Sequence, residues 1–262
     1  MNTTGKKEIK EVALSFNSLR QTIGWLGLFL PLGLYVGNAL FSDCSCLQDS
    51  ISHYYYTRMG VLLVAVLVIL GVVLIYYPAY KKETKLDGVL TTISGIAALC
   101  VAFFPTFANS NDSCALFDLP HIEARNIFHF TSAATMLLIF SWLSCFVFTL
   151  SKVDKKSEEW KAPGNKWKRY RNVLYIVCGI ITFLSVVSIG VITFLEARNL
   201  IIISSKYTFW FEVAALVPFG IGWLIKGGFA LTDDDEKSTA RHFAEKLRIV
   251  KESPVNAGNN KN

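Results

Sequence analysis

The stretch Gly60–Tyr80, GVLLVAVLVILGVVLIYYPAY, contains no Asp, Glu, Lys, Arg or His. An α-helix rises about 1.5 Å per residue, so a run of this length crosses the roughly 30 Å hydrocarbon core of a bilayer. Five further stretches read the same way: about Thr22–Phe41, Gly88–Phe107, Phe128–Leu150, Val173–Leu195 and Thr208–Ala230. Three of these also lack ionisable acids and bases; the Phe128 span carries His129, and the last carries Glu212 and Lys226. The whole chain agrees, because 52% of its 262 residues are apolar and only 18% are charged. A soluble domain usually carries about 25% charge, so these charges are too few to cover a soluble globule of this length. The sequence predicts an all-α polytopic bundle of six transmembrane helices. The first apolar stretch is too long for a signal-peptide core and has no small-residue cleavage site.

The distribution of Lys and Arg sets the expected topology. The segment before the first span, the second and fourth loops and the tail together hold 22; the first, third and fifth loops hold four, namely Arg58, Arg125, Arg198 and Lys206. Basic residues collect on the cytoplasmic side, so both termini are expected to be cytoplasmic and loops 1, 3 and 5 extracytoplasmic. The net charge of +6 is therefore read as topology, with membrane lipids as partners and no nucleic acid.

Three regions follow. Residues 1–21 form a cytoplasmic segment with Ile9, Val12, Phe16 and Leu19 on one helical stripe. Residues 22–230 form the transmembrane domain. Residues 231–262 form a tail whose Thr232–Asp235 fits a helix cap, followed by the stripe Ala240, Phe243, Leu247 and Val250 and a disordered end. Trp160, Trp167 and Tyr170 lie among eight basic residues of the fourth loop and read as an interfacial anchor to anionic lipid. Small residues such as Gly33, Gly37, Gly95 and Gly179 allow close helix approach. They serve packing inside the bundle or, alternatively, a homo-oligomer.

No glycine-rich phosphate loop, HExxH, CxxC or GxSxG motif occurs. The polar residues that topology does not explain gather toward the expected outer face. His53, Tyr54, Tyr55, Tyr56 and Arg58 end the first loop, Thr106 ends the third span, and His129 and Ser132 open the fourth. Glu212 lies about a turn into the sixth span, where an acid is costly and marks a functional-site hypothesis, with His129, His53 or Arg58 as its expected partner. These nine residues form a candidate outward-facing polar pocket. Each also has a structural reading: the tyrosines as an aromatic belt, His53 as a solvated residue, and His129 with Glu212 as a tie between two spans.

His53, His121 and His129 are the candidate metal ligands, with Asp49, Glu123, Glu196 and Glu212 nearby in the same outer segments. Catalytic zinc needs three such ligands and an open position, but no HxxxH pair supports it, so no cofactor is predicted and zinc is kept only as an alternative. Cys44, Cys46 and Cys114 face the compartment that permits disulfides, and Cys114 is expected to bridge to Cys44 or Cys46.

Three strings stand out together: SISHYYYT at Ser50–Thr57, GIAALCVAFFPT at Gly95–Thr106 and FHFTS at Phe128–Ser132. They resemble an uncharacterised group of bacterial six-span membrane proteins, a domain of unknown function that is distantly similar to the Frag/DRAM/Sfk membrane proteins of eukaryotes. The resemblance covers roughly residues 20–230 and does not extend to the cysteine-bearing third loop. It implies a six-helix bundle in the bacterial inner membrane with these strings at its outer face, and it supplies no reaction. Association of the eukaryotic group with lipid organisation favours lipid binding over catalysis. The leading expectation is a non-enzymatic membrane protein whose outer pocket binds a lipid or small amphiphile. A metal-dependent hydrolase of outer-leaflet lipid and a small transporter are the alternatives.

Overall fold

A backbone in hydrocarbon must satisfy its own amides, so apolar stretches of this length fold as helices. The structure, a computed structural model, describes residues 3–42, 46–77, 85–107, 114–150, 166–202 and 206–232. Six α-helices occur there and no strand does: α1 Thr3–Phe41, α2 Gly60–Ile75, α3 Lys85–Phe103, α4 Glu123–Trp142, α5 Lys166–Ala197 and α6 Tyr207–Lys226. A π-helical turn, Leu143–Val147, continues α4, and a short 3-10 helix, Ser52–Tyr56, lies between α1 and α2. Five segments are long and apolar enough to cross a membrane: Phe16–Phe41, Leu86–Phe103, Glu123–Val147, Trp167–Ala197 and Tyr207–Lys226. The chain is an integral membrane protein.

Two elements differ from the sequence reading. The amphipathic segment before Thr22 does not form a separate element; α1 runs unbroken for 39 residues and tolerates Pro31. α2 has 16 residues rather than reaching Tyr80, which gives it about 24 Å of length. Pro78 explains the stop, since proline disfavours helical geometry at the residue before it. The loop at 151–165 and the tail beyond Thr232 lie outside the described residues.

The helices form a ring in chain order, each packed on its sequence neighbours, and α6 closes the ring against α1. Glycine sets two of these crossings. A Cβ on Gly95 of α3 would lie 2.5 Å from the Gly71 carbonyl oxygen of α2, and one on Gly220 of α6 would lie 2.7 Å from that of Gly24 in α1. Any side chain there would push the backbones apart. α5 is tied in by hydroxyls that donate to carbonyls of the next helix: Ser141 to Gly179 and Ser144 to Tyr175, both at 2.8 Å, and Thr182 to Ala215 at 3.0 Å. Stacked Phe140 and Phe219, with centroids 3.9 Å apart, and fully buried Trp223 fill the interior between α4 and α6.

Candidate functional site

The link from α1 to α2 is too polar to enter hydrocarbon and folds back over one end of the ring as a cap. Four elements hold it. From α6 and the residue before it, Lys206 pairs with Asp49 at 3.0 Å and donates to the Leu47 carbonyl. The Phe209 N–H donates to the Asp49 carbonyl at 3.0 Å, and the Ile51 N–H donates to Glu212 Oε2 at 2.5 Å. From α4, His129 reaches Ser52 Oγ at 3.0 Å through Nε2. From the α3–α4 connection, a disulfide joins Cys114 to Cys46, and the Leu116 N–H donates to the Tyr56 carbonyl at 2.8 Å. From the end of α3, the Thr106 carbonyl accepts from the Tyr56 hydroxyl.

His129 is a junction. Its Nδ1 lies 2.8 Å from the Phe104 carbonyl, which only accepts, so Nδ1 carries a proton. In the neutral ring Nε2 is then an acceptor for the Ser52 hydroxyl. One buried side chain thus links α4, the end of α3 and the cap. Glu212 does a parallel task from α6. Its partner is the backbone N–H of Ile51 rather than His129, His53 or Arg58, so the two intramembrane polar residues grip successive cap residues, 51 and 52, instead of each other.

The other predicted residues separate. Tyr54 is fully buried with its ring 6.3 Å from Phe209. Tyr55 and Tyr56 pack with Phe117 in an aromatic trio, at 6.0 and 5.4 Å from it. Burial holds the Tyr56 phenol above its ordinary pKa, and the positive charge of Arg125 opposes that rise. Thr106 donates from Oγ1 to Asn126 Oδ1 at 2.5 Å. Ser132 is buried on α4 below His129. Arg58 donates to the Phe41 carbonyl at 2.7 Å, capping the end of α1. The His53 N–H donates to Ser50 Oγ at 3.1 Å, closing a local turn. Gly60 begins α2 directly beneath the cap, where a Cβ would stand 2.2 Å from the Tyr55 carbonyl oxygen.

A narrow crevice with a cavity volume of about 10 Å³ lies between the cap and the ring. Leu63, Val64 and Leu67 of α2 form one wall, and Val101, Ala102 and Pro105 at the end of α3 form the other. Ser52, Tyr55 and His129 close its polar end. That is room for about one water molecule, far below the roughly 300–1,000 Å³ of a drug-sized ligand pocket, so a chain would enter only by parting the walls.

Among the described residues no three His, Cys, Asp or Glu side chains are grouped to hold an ion. Both ring nitrogens of His129 are engaged, and His121 stacks on Phe107 with centroids 4.6 Å apart. Three of the four nearby acids are engaged: Asp49 with Lys206, Glu212 with Ile51 and Glu196 with the Tyr207 hydroxyl at 2.9 Å. Cys44 lies outside the described residues, and Cys100, Cys145 and Cys178 are free thiols within the helices.

Arg125 was counted in the sequence only toward topology. Its Nε and Nη2 are buried without a hydrogen-bond partner. Four-residue spacing on α4 places it one turn from His129 on the same face. No family model, curated protein or solved structure matches the chain.

Proposed function

We propose that the protein is a six-span inner-membrane protein with cytoplasmic termini, and that its capped outer end binds the acyl chain of a lipid or similar amphiphile. The cleft carries this reading: two apolar walls from α2 and α3 lead to a polar end made by Ser52, Tyr55 and His129. An acyl chain matches its apolar lining once the walls part, while its polar end faces the expected outer headgroup region. The 22-to-4 division of basic residues supports the orientation. α2 joins the five longer helices as a sixth span, its short length met by local thinning of the bilayer or by the flanking tyrosines. No reaction is assigned to this end.

Lipid retention measured by native mass spectrometry tests the reading. Wild type should keep at least one lipid per chain after detergent exchange, and Val64→Trp and Ala102→Phe, which fill the cleft, should keep none. Equal retention by wild type and a folded cleft-filling variant would overturn it. Orientation is checked separately in a background without the free thiols. A membrane-impermeant maleimide applied to intact cells should label a cysteine placed at Arg198 and not one placed at Lys168.

A further inference from the structure

Four basic side chains lie in the loops and helix ends around the cap, and three are committed. Arg58 donates to the Phe41 carbonyl, Lys206 pairs with Asp49, and Arg198 lies over the Phe194 ring at 5.2 Å. Arg125 differs. Its Nε and Nη2 are withdrawn from solvent and bond to nothing, and it forms no ion pair among the described residues. Asp118, the acid whose charge also acts on Tyr56, spends Oδ1 on the Leu119 N–H at 2.7 Å. A guanidinium always carries its charge, and burying its donors unpaired costs more than leaving them in water. Its position therefore makes sense when an oxyanion completes it. The fork of a guanidinium matches carboxylate and phosphate oxygens two at a time.

Its location gives that oxyanion a context. Arg125 precedes His129 by four residues on α4, and His129 lines the polar end of the cleft. It is also close enough to Tyr56 for its charge to act on that phenol, and Tyr55, whose ring is 5.3 Å from that of Tyr56, lines the same cleft. Around it Ile122, Ile127 and Phe128 are exposed and apolar, as suits a group facing lipid at the headgroup level.

We propose that Arg125, near the start of α4, binds the oxyanion headgroup of a net-negative amphiphile whose chain lies along the exposed apolar residues beside it. This deepens the acyl-chain reading and rests on it. The shared chemistry is an oxyanion on an alkyl chain, which a phosphodiester lipid and a free fatty acid both offer.

The full-length protein in nanodiscs, presented with equimolar phosphatidylcholine, phosphatidylglycerol and oleate and read by native mass spectrometry, tests it. Wild type should retain phosphatidylglycerol or oleate about tenfold over phosphatidylcholine, the factor that about 1.4 kcal/mol supplies; whichever of the two is enriched identifies the source. Arg125→Gln should bring that ratio to about one while total lipid stays as in wild type, and Arg125→Lys should keep part of the preference. Melting temperatures confirm that both variants fold; if Arg125→Gln does not, the Lys variant and the wild-type ratio decide. A wild-type ratio near one, or an unchanged ratio in a folded Arg125→Gln, overturns the proposal while retained lipid leaves the acyl-chain reading intact. Loss of all lipid from wild type overturns both.

Discussion

The two ends of the ring are held together by opposite means. At the cap end the bonds join segments far apart in sequence: Glu212 with Ile51, His129 with Ser52 and Cys46 with Cys114. At the other end, cationic and amide side chains satisfy the free carbonyls near helix ends. Gln21 donates to Gly227 at 2.8 Å, Lys226 to Phe148 at 3.2 Å and Arg171 to Leu231 at 2.5 Å. Arg20, almost fully buried, donates to the Tyr77 hydroxyl at 2.7 Å. Helix C-termini leave carbonyls unpaired and carry a partial negative charge. The basic residues that report topology therefore also finish the helices beside them. One end is closed by many weak terminal caps, and the other by a folded segment that depends on a few specific partners.

That contrast predicts unequal responses to mutation. The largest effect belongs to Gly60→Val, because a Cβ 2.2 Å from the Tyr55 carbonyl oxygen cannot be accommodated without moving the cap. We expect a loss of about 3 kcal/mol or more, with hydrogen exchange accelerated in residues 46–59 and unchanged around Arg20. Equal acceleration at both ends would show that the ends are not independent. Cys46→Ser should cost about 2–4 kcal/mol by freeing a long loop, again with faster exchange confined to the cap end; a reductant should reproduce it in wild type and leave the variant unaffected.

Glu212→Leu leaves the Ile51 N–H without its acceptor and should lower stability by about 1–3 kcal/mol, whereas Glu212→Gln keeps an acceptor oxygen and should lose less than half of that. Thermal melts of the pair separate hydrogen bonding from charge. On the other end Lys226→Met removes one cap among several and should cost about 0.5–1 kcal/mol. The mildest test is alkaline. Burial raises the Tyr56 phenol in the folded state, while the unfolded value stays near 10. The folded state therefore holds its proton more tightly, and this contribution is fully present below about pH 10 and is lost as pH rises through the folded value. Cap opening should increase in that window, and Tyr56→Phe should flatten the dependence.

The sequence made the helices readable because hydrocarbon demands long apolar runs, and those runs survive any detail of packing. It also singled out His129, Glu212 and the tyrosines, which the fold brings to one end of the ring. What it hid were partners without a side-chain signature. Glu212 answers a backbone N–H, and His129 answers a backbone carbonyl and a serine, so no pattern of residue types could pair them. Arg125 was absorbed into a charge count, since the burial of its Nε and Nη2 without partners arises only in the folded chain. Pro78 marked the end of α2, but the apolar residues beyond it concealed that mark. The choice of Cys46 for Cys114 required the path of the loop.

The ring order carries a consequence for how the chain is made. Helices emerging one after another each meet the neighbour already inserted, so α2 through α5 assemble by local pairing as synthesis proceeds. α1 must wait, because the surface around Gly24 is completed by Gly220 of α6, and the cap waits with it for Lys206 and Glu212. An insertion intermediate that has α1 to α5 and lacks α6 thus displays an unfinished seam and a loose polar segment together. Arrival of α6 closes both at once.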